Sequence, residues 1–451
     1  MAPLSESSRL SLRSFPRSHH LLMRHRPPRL LLTLQQATLL TTLVALPACS
    51  TCTTDQAASS TRAVSGEQDA QPLPEAVGAV LRPLGARPVD AIQDDFSRFQ
   101  GTRHTQWVAR PTSTDEAVAL VRAAVATRTP VRVRGRGHSM SGSAIGGPHE
   151  LLLDTRSLVQ VCRIGEDVVR AEAGVSMHDL REALQIHTLL LPVINDGGRG
   201  PTVGGFLSAG GFGAASPEHG GIWELTTAIE FVDGHGELRM VGRQDELFRW
   251  FFGSAGQLGL IVAARLRVLV PDEARAAPLD VGACVQVPTP PGEERWDVSA
   301  NEGERLFWWT VLTPAGDAED ARQALALVQA SHSEGPLVFL QAYHYHLPSF
   351  GLHPPLLLAQ PGDGAAVGVW AMAPPGAPEE ALRRQVVGIE AAVAQRSAER
   401  GWRRYLGAEL SRGAEAYRRS LGDDVWNTFR GHKDDVDPLH LFGRGNVFPI
   451  P

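Results

Sequence analysis

The stretch PTVGGFLSAGGFGAASPEHGG, Pro201 to Gly221, sets the strongest condition on how this chain folds. Repeated glycines stand among apolar residues there, so side chains have been removed where backbone must approach something closely. Peptide N–H groups exposed in such loops bind phosphate oxygens without lysines. A second loop of this kind lies upstream, in PVRVRGRGHSMSGSA, Pro130 to Ala144. Val131 and Val133 alternate with Arg132 and Arg134 at the period of a strand, which runs into a glycine-rich turn. A dinucleotide fingerprint needs its turn to open a helix. After Gly137 comes HSMSGSAIGGPHE, which is no helix. Alone, this turn with His138 in its middle fits an ordinary tight turn equally well.

The flanking segments read as regular elements. In RPTSTDEAVALVRAAVATRTP, Ser113 and Glu116 have capping-box spacing, Ala117, Leu120, Val121 and Ala124 form an apolar stripe, and Pro130 closes the segment. LLLDT and VVRAEAG read as strands and SMHDLREALQIH as a helix ending at His187. LLLPVIN then continues a β-α-β rhythm that denotes an α/β domain. AIEFVDGHGELRMV is a hairpin turning at Asp233 to Gly236, and LFRWFFGSAGQLGLIVAARLRVL supplies a helix, a third glycine turn and a strand. Order is expected to begin near Leu81.

A chain of 451 residues allows two domains, or one with an insertion. Its net charge of −6 is unevenly placed. Residues 1–48 hold Arg9, Arg13, Arg17, Arg24, Arg26, Arg29 and the single acid Glu6; subtracting their +5 leaves −11 on the rest. An acidic body argues against nucleic acid as a partner. RHRPPR followed by LLLTLQQATLLTTLVALPA reads as an export signal, too short and too polar at Gln35 and Gln36 for a membrane span. LPAC, Leu46 to Cys49, resembles the lipobox of bacterial lipoproteins, with an ordinary cleaved signal as the alternative. Met23 is a candidate start. The small polar run after Cys49, which includes Cys52, reads as a flexible tether to about residue 75. Four cysteines make no disulfide framework over this length, and Cys162 and Cys284 read as small buried apolar residues.

Three segments in order, GRGHSMSGSA, PTVGGFLSAGGFG and GSAGQLGLIVAARLRV, resemble the vanillyl-alcohol oxidase type of flavoenzyme with its PCMH-type FAD domain. The likeness covers roughly residues 90 to 270 and returns in VWNTFRGHKDDVDPLHLFGRGNVFP. It implies an α+β fold, with an FAD domain over 76–270, a substrate domain over 271–415 and a returning segment over 416–451, behind the signal read over 1–48 and the tether read over 49–75. It implies an FAD bonded covalently to His138. Gly135, Arg136, Gly137, Ser139, Ser143, Thr202, Ser208, Phe212, Ile261, Tyr405 and Asn446 would stand around the flavin. A second covalent link is not expected, since Gly200 occupies the place where berberine-bridge-type relatives carry a cysteine.

GRGHS, TVGG, DGHGE and the pair Tyr405-Leu406 look most like cytokinin dehydrogenases, which oxidise a secondary amine by hydride transfer to flavin while an aspartate removes the amine proton. That aspartate would fall at Gly197; Asp196 is one residue away. Asp196 is therefore either the base or part of a turn-forming Asn195-Asp196-Gly197. The tryptophan expected after His353-Pro354 is replaced by Pro355. In the substrate domain, LFWWTVLTP and VFLQAYHYHLPSF are strands, and EDARQALALVQASH and PEEALRRQVVGIEAAVAQRSAER are helical. Trp308, Trp309, Tyr343 and Tyr345 are candidates for an aromatic pocket wall, or else core. His344 and His346 lack a third ligand, so no metal is expected. The sequence thus suggests an exported, lipid-anchored flavoenzyme that passes electrons from a small amine to oxygen or a quinone. The alternatives are an alcohol or sugar oxidase of the same superfamily and a flavin-binding surface protein without catalysis.

Overall fold

The computed structural model describes residues 73–99, 101–196, 200–271, 279–287, 304–405 and 414–444. The signal and lipobox, most of the tether, Gly197, Leu406 and Asn446 lie outside them. Helix α1 (Glu75–Leu81) sets the start of order before Leu81, with Leu81 buried. The first sheet, ordered β1-β2-β4-β3, contains β1 (Arg87–Gln93), β2 (Thr102–Ala109), β3 (Val131–Arg134) and β4 (Leu151–Asp154); β4 runs parallel to both β2 and β3. Helix α2 (Thr114–Thr127) begins where Ser113 accepts the Glu116 N–H. The Glu116 carboxylate reaches back to the Thr112 N–H at 2.7 Å, one residue before the cap, instead of closing the box on Ser113. Its apolar stripe packs on Trp107, Leu151 and Leu153.

The alternating arginines of β3 are not a solvated face. Arg132 is buried in a bidentate pair with Glu150 (3.1 and 3.0 Å), and buried Arg134 donates to the Ala144 carbonyl at 3.1 Å. Both arginines therefore hold the loop that follows their own strand.

The second sheet is antiparallel throughout, ordered β10-β5-β6-β9-β7-β8. It consists of β5 (Gln160–Arg163), β6 (Val168–Glu172), β7 (Thr226–Val232), β8 (Leu238–Gly242), β9 (Leu260–Arg267) and β10 (Cys284–Gln286). The residues of β9 serve two cores: Leu260 and Val262 join the first-sheet core, while Ile261, Ala264 and Leu266 join the largest one, with a register shift against β7 between Glu230 and Phe231 that breaks simple alternation. That larger core also holds α3 (Met177–Ile186), α4 (Val203–Ala209) and part of the single-turn α6 (Ile222–Leu225), which follows the equally short α5 (Ser216–His219).

Three readings need correction. LLLPVIN is not a strand: only Leu190 forms a bridge, to Leu269. ELFRW is a 3-10 turn, not an α-helix. Cys162 and Cys284 are disulfide-bonded to each other. Their register places them directly opposite on β5 and β10, with Cα atoms 4.0 Å apart, although 122 residues separate them in sequence. Spacing along the chain carries no trace of such a pairing.

The third sheet, ordered β12-β13-β11-β14, is built from β11 (Arg305–Pro314), β12 (Val338–Leu347), β13 (Gly364–Ala373) and β14 (Arg403–Arg404). Phe307, Trp309 and Val311 of β11 point to α7 (Ala318–Ser331) and α8 (Glu379–Arg400), whose Leu325, Val328, Leu382, Val386 and Ile389 complete that core. The pleat sends Leu306 and Trp308 to the opposite face. Helices α9 (Ala414–Leu421) and α10 (Asp423–Val436) then lead the chain back, and Phe442 bridges Val131 at the start of β3.

Candidate functional site

A cavity of about 800 Å3 lies between the glycine loops and the third sheet. Its volume falls in the range of small-molecule and cofactor sites, roughly 300–1,000 Å3. Eleven of the twelve residues expected around a flavin are described, and all eleven line it: Gly135, Arg136, Gly137, His138, Ser139, Ser143, Thr202, Ser208, Phe212, Ile261 and Tyr405. Asp196 lines it as well.

The three glycine segments meet because small residues let them. A Cβ at Gly135 would collide with the Thr202 hydroxyl, so the first loop seats directly on the N-cap of α4. Thr202 is fixed there by accepting the Gly205 N–H at 3.3 Å. At the other end of α4, the Ser208 carbonyl accepts the N–H groups of Gly253 and Ala255, both at 3.0 Å, which draws in the third segment.

His138 is half-buried in the cavity wall. Burial, then the charges of Arg136 and His178, push its pKa down to about 4, so its imidazole is neutral near pH 7 with a lone pair on one ring nitrogen. The Phe96 ring lies 4.2 Å from it, centroid to centroid. Phe96 and its neighbour Asp95 were not legible as site residues. They stand some forty positions upstream in the linker between β1 and β2, where DDFS carries no periodic or motif signal.

The opposite wall comes from the third sheet. Trp308 stacks on Trp370, with centroids 5.0 Å apart and planes 2° from parallel, and Tyr405 and Phe212 pack against this pair. The Trp308 indole N–H donates to the Tyr343 hydroxyl, which also meets Thr310. Of the four aromatic candidates, Trp308, Tyr343 and Tyr345 line the cavity, whereas Trp309 is core on the helix side. Trp370 was missed, although it alternates with Val369 and Ala371 as a strand residue would. A bulge between Phe339 and Gln341 sets both Leu340 and Gln341 on the cavity wall, which regular alternation forbids. His344 is exposed, and His346 faces Asp363 at 3.4 Å. Among the described residues no cluster of His, Cys, Asp or Glu is arranged to hold a metal ion.

Asp196 joins the two walls. One carboxylate oxygen accepts the Ala214 N–H at 2.8 Å, and the other accepts the Tyr345 hydroxyl at 2.5 Å. Burial, then the hydrogen bond to Asp196, raise the Tyr345 hydroxyl above its ordinary pKa, so it stays a donor.

The cavity suits FAD. Gly256, at φ +77°, has open space where a Cβ would stand, and Gly135, Gly137, Gly200, Gly204, Gly205, Gly253 and Gly259 leave bare backbone around it. Arg136, His138 and Asp196 are the only Arg, Lys, His, Asp or Glu side chains among the described lining residues. A pyrophosphate would therefore rest on peptide N–H groups, the loop hydroxyls and Arg136, and a flat ring system on the aromatic side.

Residues 105–242 match a family model described as an FAD binding domain. An oxidoreductase of the fasciation locus of Rhodococcoides fascians is 32% identical over 170 residues, 37% of this chain and 38% of that protein. Cytokinin dehydrogenase 5 of Arabidopsis thaliana is 29% identical over 194 residues, 39% and 34% of the two chains. D-arabinono-1,4-lactone oxidase of Eremothecium gossypii is 32% identical over 168 residues, 36% and 31%. The matches thus span about a third of these relatives' lengths.

Proposed function

We propose that this chain, whose residues 105–242 match an FAD binding domain model, is an FAD-dependent oxidoreductase of the vanillyl-alcohol oxidase type that acts on a small, cytokinin-like amine, with its flavin bonded to His138. The observation that carries the amine reading is Asp196. It is the only carboxylate among the described cavity-lining residues, and it accepts the hydroxyl of Tyr345, whose ring lies 5.2 Å from that of Tyr343 on the aromatic wall. A flat amine would lie against the aromatic rings with its nitrogen toward that carboxylate. Bound FAD would supply the two-electron acceptor, to be reoxidised by oxygen or a quinone.

The chain's own groups would do the rest. Asp196 takes the proton leaving the amine nitrogen, and the Ala214 N–H and Tyr345 hydroxyl hold its carboxylate in place. The aromatic wall excludes water from the reacting face. Neutral His138 offers a ring nitrogen for the covalent bond. Export fits the Cys162–Cys284 disulfide, since such bonds persist in oxidising compartments. Anchoring through Cys49 belongs to the same proposal.

An alcohol or sugar-lactone oxidase is the second reading. The arabinonolactone oxidase relative and the Gln341 amide on the cavity wall favour it. The deciding experiment offers a secondary N-alkyl aminopurine, an aldonolactone and a sugar alcohol to the flavin-loaded protein with a dye acceptor. Turnover of the amine, with kcat lowered roughly 10²- to 10⁴-fold in Asp196→Asn, is the expected result. Turnover of lactone or alcohol alone would establish the second reading. Bound flavin with no turnover of any of them would favour a non-catalytic flavin-binding protein.

A further inference from the structure

Between β1 and β2 the segment Asp94–Phe99 leaves the first sheet and crosses from the His138 loop to the third sheet. We propose that this segment is a strap that aims the His138 imidazole at the flavin, with Asp95 and Phe96 as its positioning residues. The inference rests on the reading of His138 as the residue facing the flavin.

The loop end of the strap holds the histidine by its ring and by the backbone that follows it. The Phe96 N–H donates to the Ser139 carbonyl at 2.9 Å, one residue beyond His138, and the Phe96 ring packs on the imidazole at 4.2 Å and 38°. Asp95 is fully buried. Its Oδ2 accepts the Gly142 N–H at 2.7 Å, and its Oδ1 accepts the Ser97 N–H at 3.1 Å and the Ser97 hydroxyl at 2.6 Å. The carboxylate thereby pins the far side of the loop while bracing the strap itself.

The other end engages the substrate-side sheet. The Ser97 carbonyl accepts the Leu306 N–H at 3.1 Å. Phe99 packs edge-on against Phe307 at 5.2 Å, with the Arg383 guanidinium 5.0 Å above its ring. Leu306 and the nearby Trp308 both line the cavity.

The strap is needed because of what the loop is made of. Gly135, Gly137 and Gly142 flank His138, and Gly137 and Gly142 have φ of +67° and +75°. Glycine-rich backbone has many alternatives to lose on ordering, so it does not aim a side chain by itself. A ring on one face of the imidazole and hydrogen bonds at residues 139 and 142 remove those alternatives. Misplacing a reacting atom by about 1 Å costs roughly 10²-fold in rate, so the strap acts on the rate of bond formation more than on flavin affinity.

The test uses the full chain produced without flavin and then incubated with FAD. Two quantities are followed: FAD bound per chain before denaturation, and flavin remaining on the polypeptide after acid precipitation. His138→Ala serves as the reference without covalent bonding. Phe96→Leu keeps the apolar filling but removes the aromatic face, Phe96→Tyr restores the ring, and Asp95→Asn loses one of the two acceptor oxygens. Thermal melts verify that each variant is folded.

Attachment slowed roughly 10²-fold in Phe96→Leu and recovered in Phe96→Tyr, with FAD binding little changed, is the expected result. Slowing in Asp95→Asn is expected alongside it. Wild-type attachment rates in both Phe96→Leu and Asp95→Asn would overturn the strap while leaving the covalent reading intact. If the wild-type protein binds FAD without a covalent bond, that reading falls, and the strap is judged by FAD affinity. A loss of roughly tenfold in Phe96→Leu, restored in Phe96→Tyr, would then support the strap, and an unchanged affinity would overturn it. A folded wild-type chain that binds no FAD would overturn both.

Discussion

Replacing Lys433 by methionine tests how the returning C-terminal segment is held. Lys433 sits on α10 with its side chain 2% exposed. Its ammonium has three protons and three partners: the Asp437 carboxylate at 2.5 Å, the Gln257 carbonyl at 2.6 Å and the Phe442 carbonyl at 2.9 Å. Asp437 in turn accepts the N–H groups of Leu441 (3.0 Å) and Phe442 (2.8 Å). Gln257 follows Gly256 on the cavity wall, and the Leu441 carbonyl accepts the N–H of Val131, the first residue of β3. One buried ammonium therefore ties α10 to the third glycine segment and to the strand that enters the His138 loop. Methionine matches the side chain's length but leaves Asp437 without a cation and two carbonyls without their donor. Breaking a buried ion pair on one side costs about 3–5 kcal/mol. Urea unfolding followed by tryptophan fluorescence is expected to show a loss of that size, with the slope m unchanged. The double variant Lys433→Met, Asp437→Asn is expected to recover part of it by removing the stranded charge. A single variant within about 1 kcal/mol of wild type would refute the reasoning, because it would mean that the pair merely balances its own desolvation.

The Cys162–Cys284 bridge closes a loop of 122 residues, for which chain entropy sets a gain of about 5 kcal/mol and typical native bridges give about 2–4. Cys162→Ser, Cys284→Ser is expected to lose that amount, and alkylation of both thiols in the unreduced wild-type protein would remove the premise. Asp95 has its carboxyl raised by burial to about 6 from 3.8, with Asp94 adding to the shift and Ser97, Gly142 and Arg134 opposing it. The folded state then keeps a proton that the unfolded chain releases between about pH 4 and 6. Stability from this group is fullest below pH 4 and falls by about 3 kcal/mol as pH rises through 6, staying level above. Asp95→Asn is expected to lack that slope, and parallel pH–stability curves for the two proteins would contradict the assignment.

What lay on the chain by itself was the part written in local pattern. Glycine marks each place where two backbones close on one another, as at Gly135 against Thr202, because a side chain there would collide. The capped stripe of α2 and the alternating Phe307, Trp308 and Trp309 of β11 follow helix and strand periods, which depend only on neighbours in sequence. Ten of the twelve cofactor residues that the family resemblance implies lie in three short segments, and eleven of the twelve meet at one cavity.

Tertiary structure decided whatever depends on partners far away. Asp95 and Phe96 belong to the His138 loop through bonds that span more than forty residues. Trp308 faces the cavity and Trp309 the helices because α7 and α8 cover one side of the third sheet, a choice that alternation leaves open. Asp196 gains its place from a tyrosine 149 residues away. Cys162 meets Cys284 only because β10 pairs with β5 in one register. Local sequence sets which faces a strand or helix presents, whereas burial and hydrogen bonding between distant segments select which face meets which.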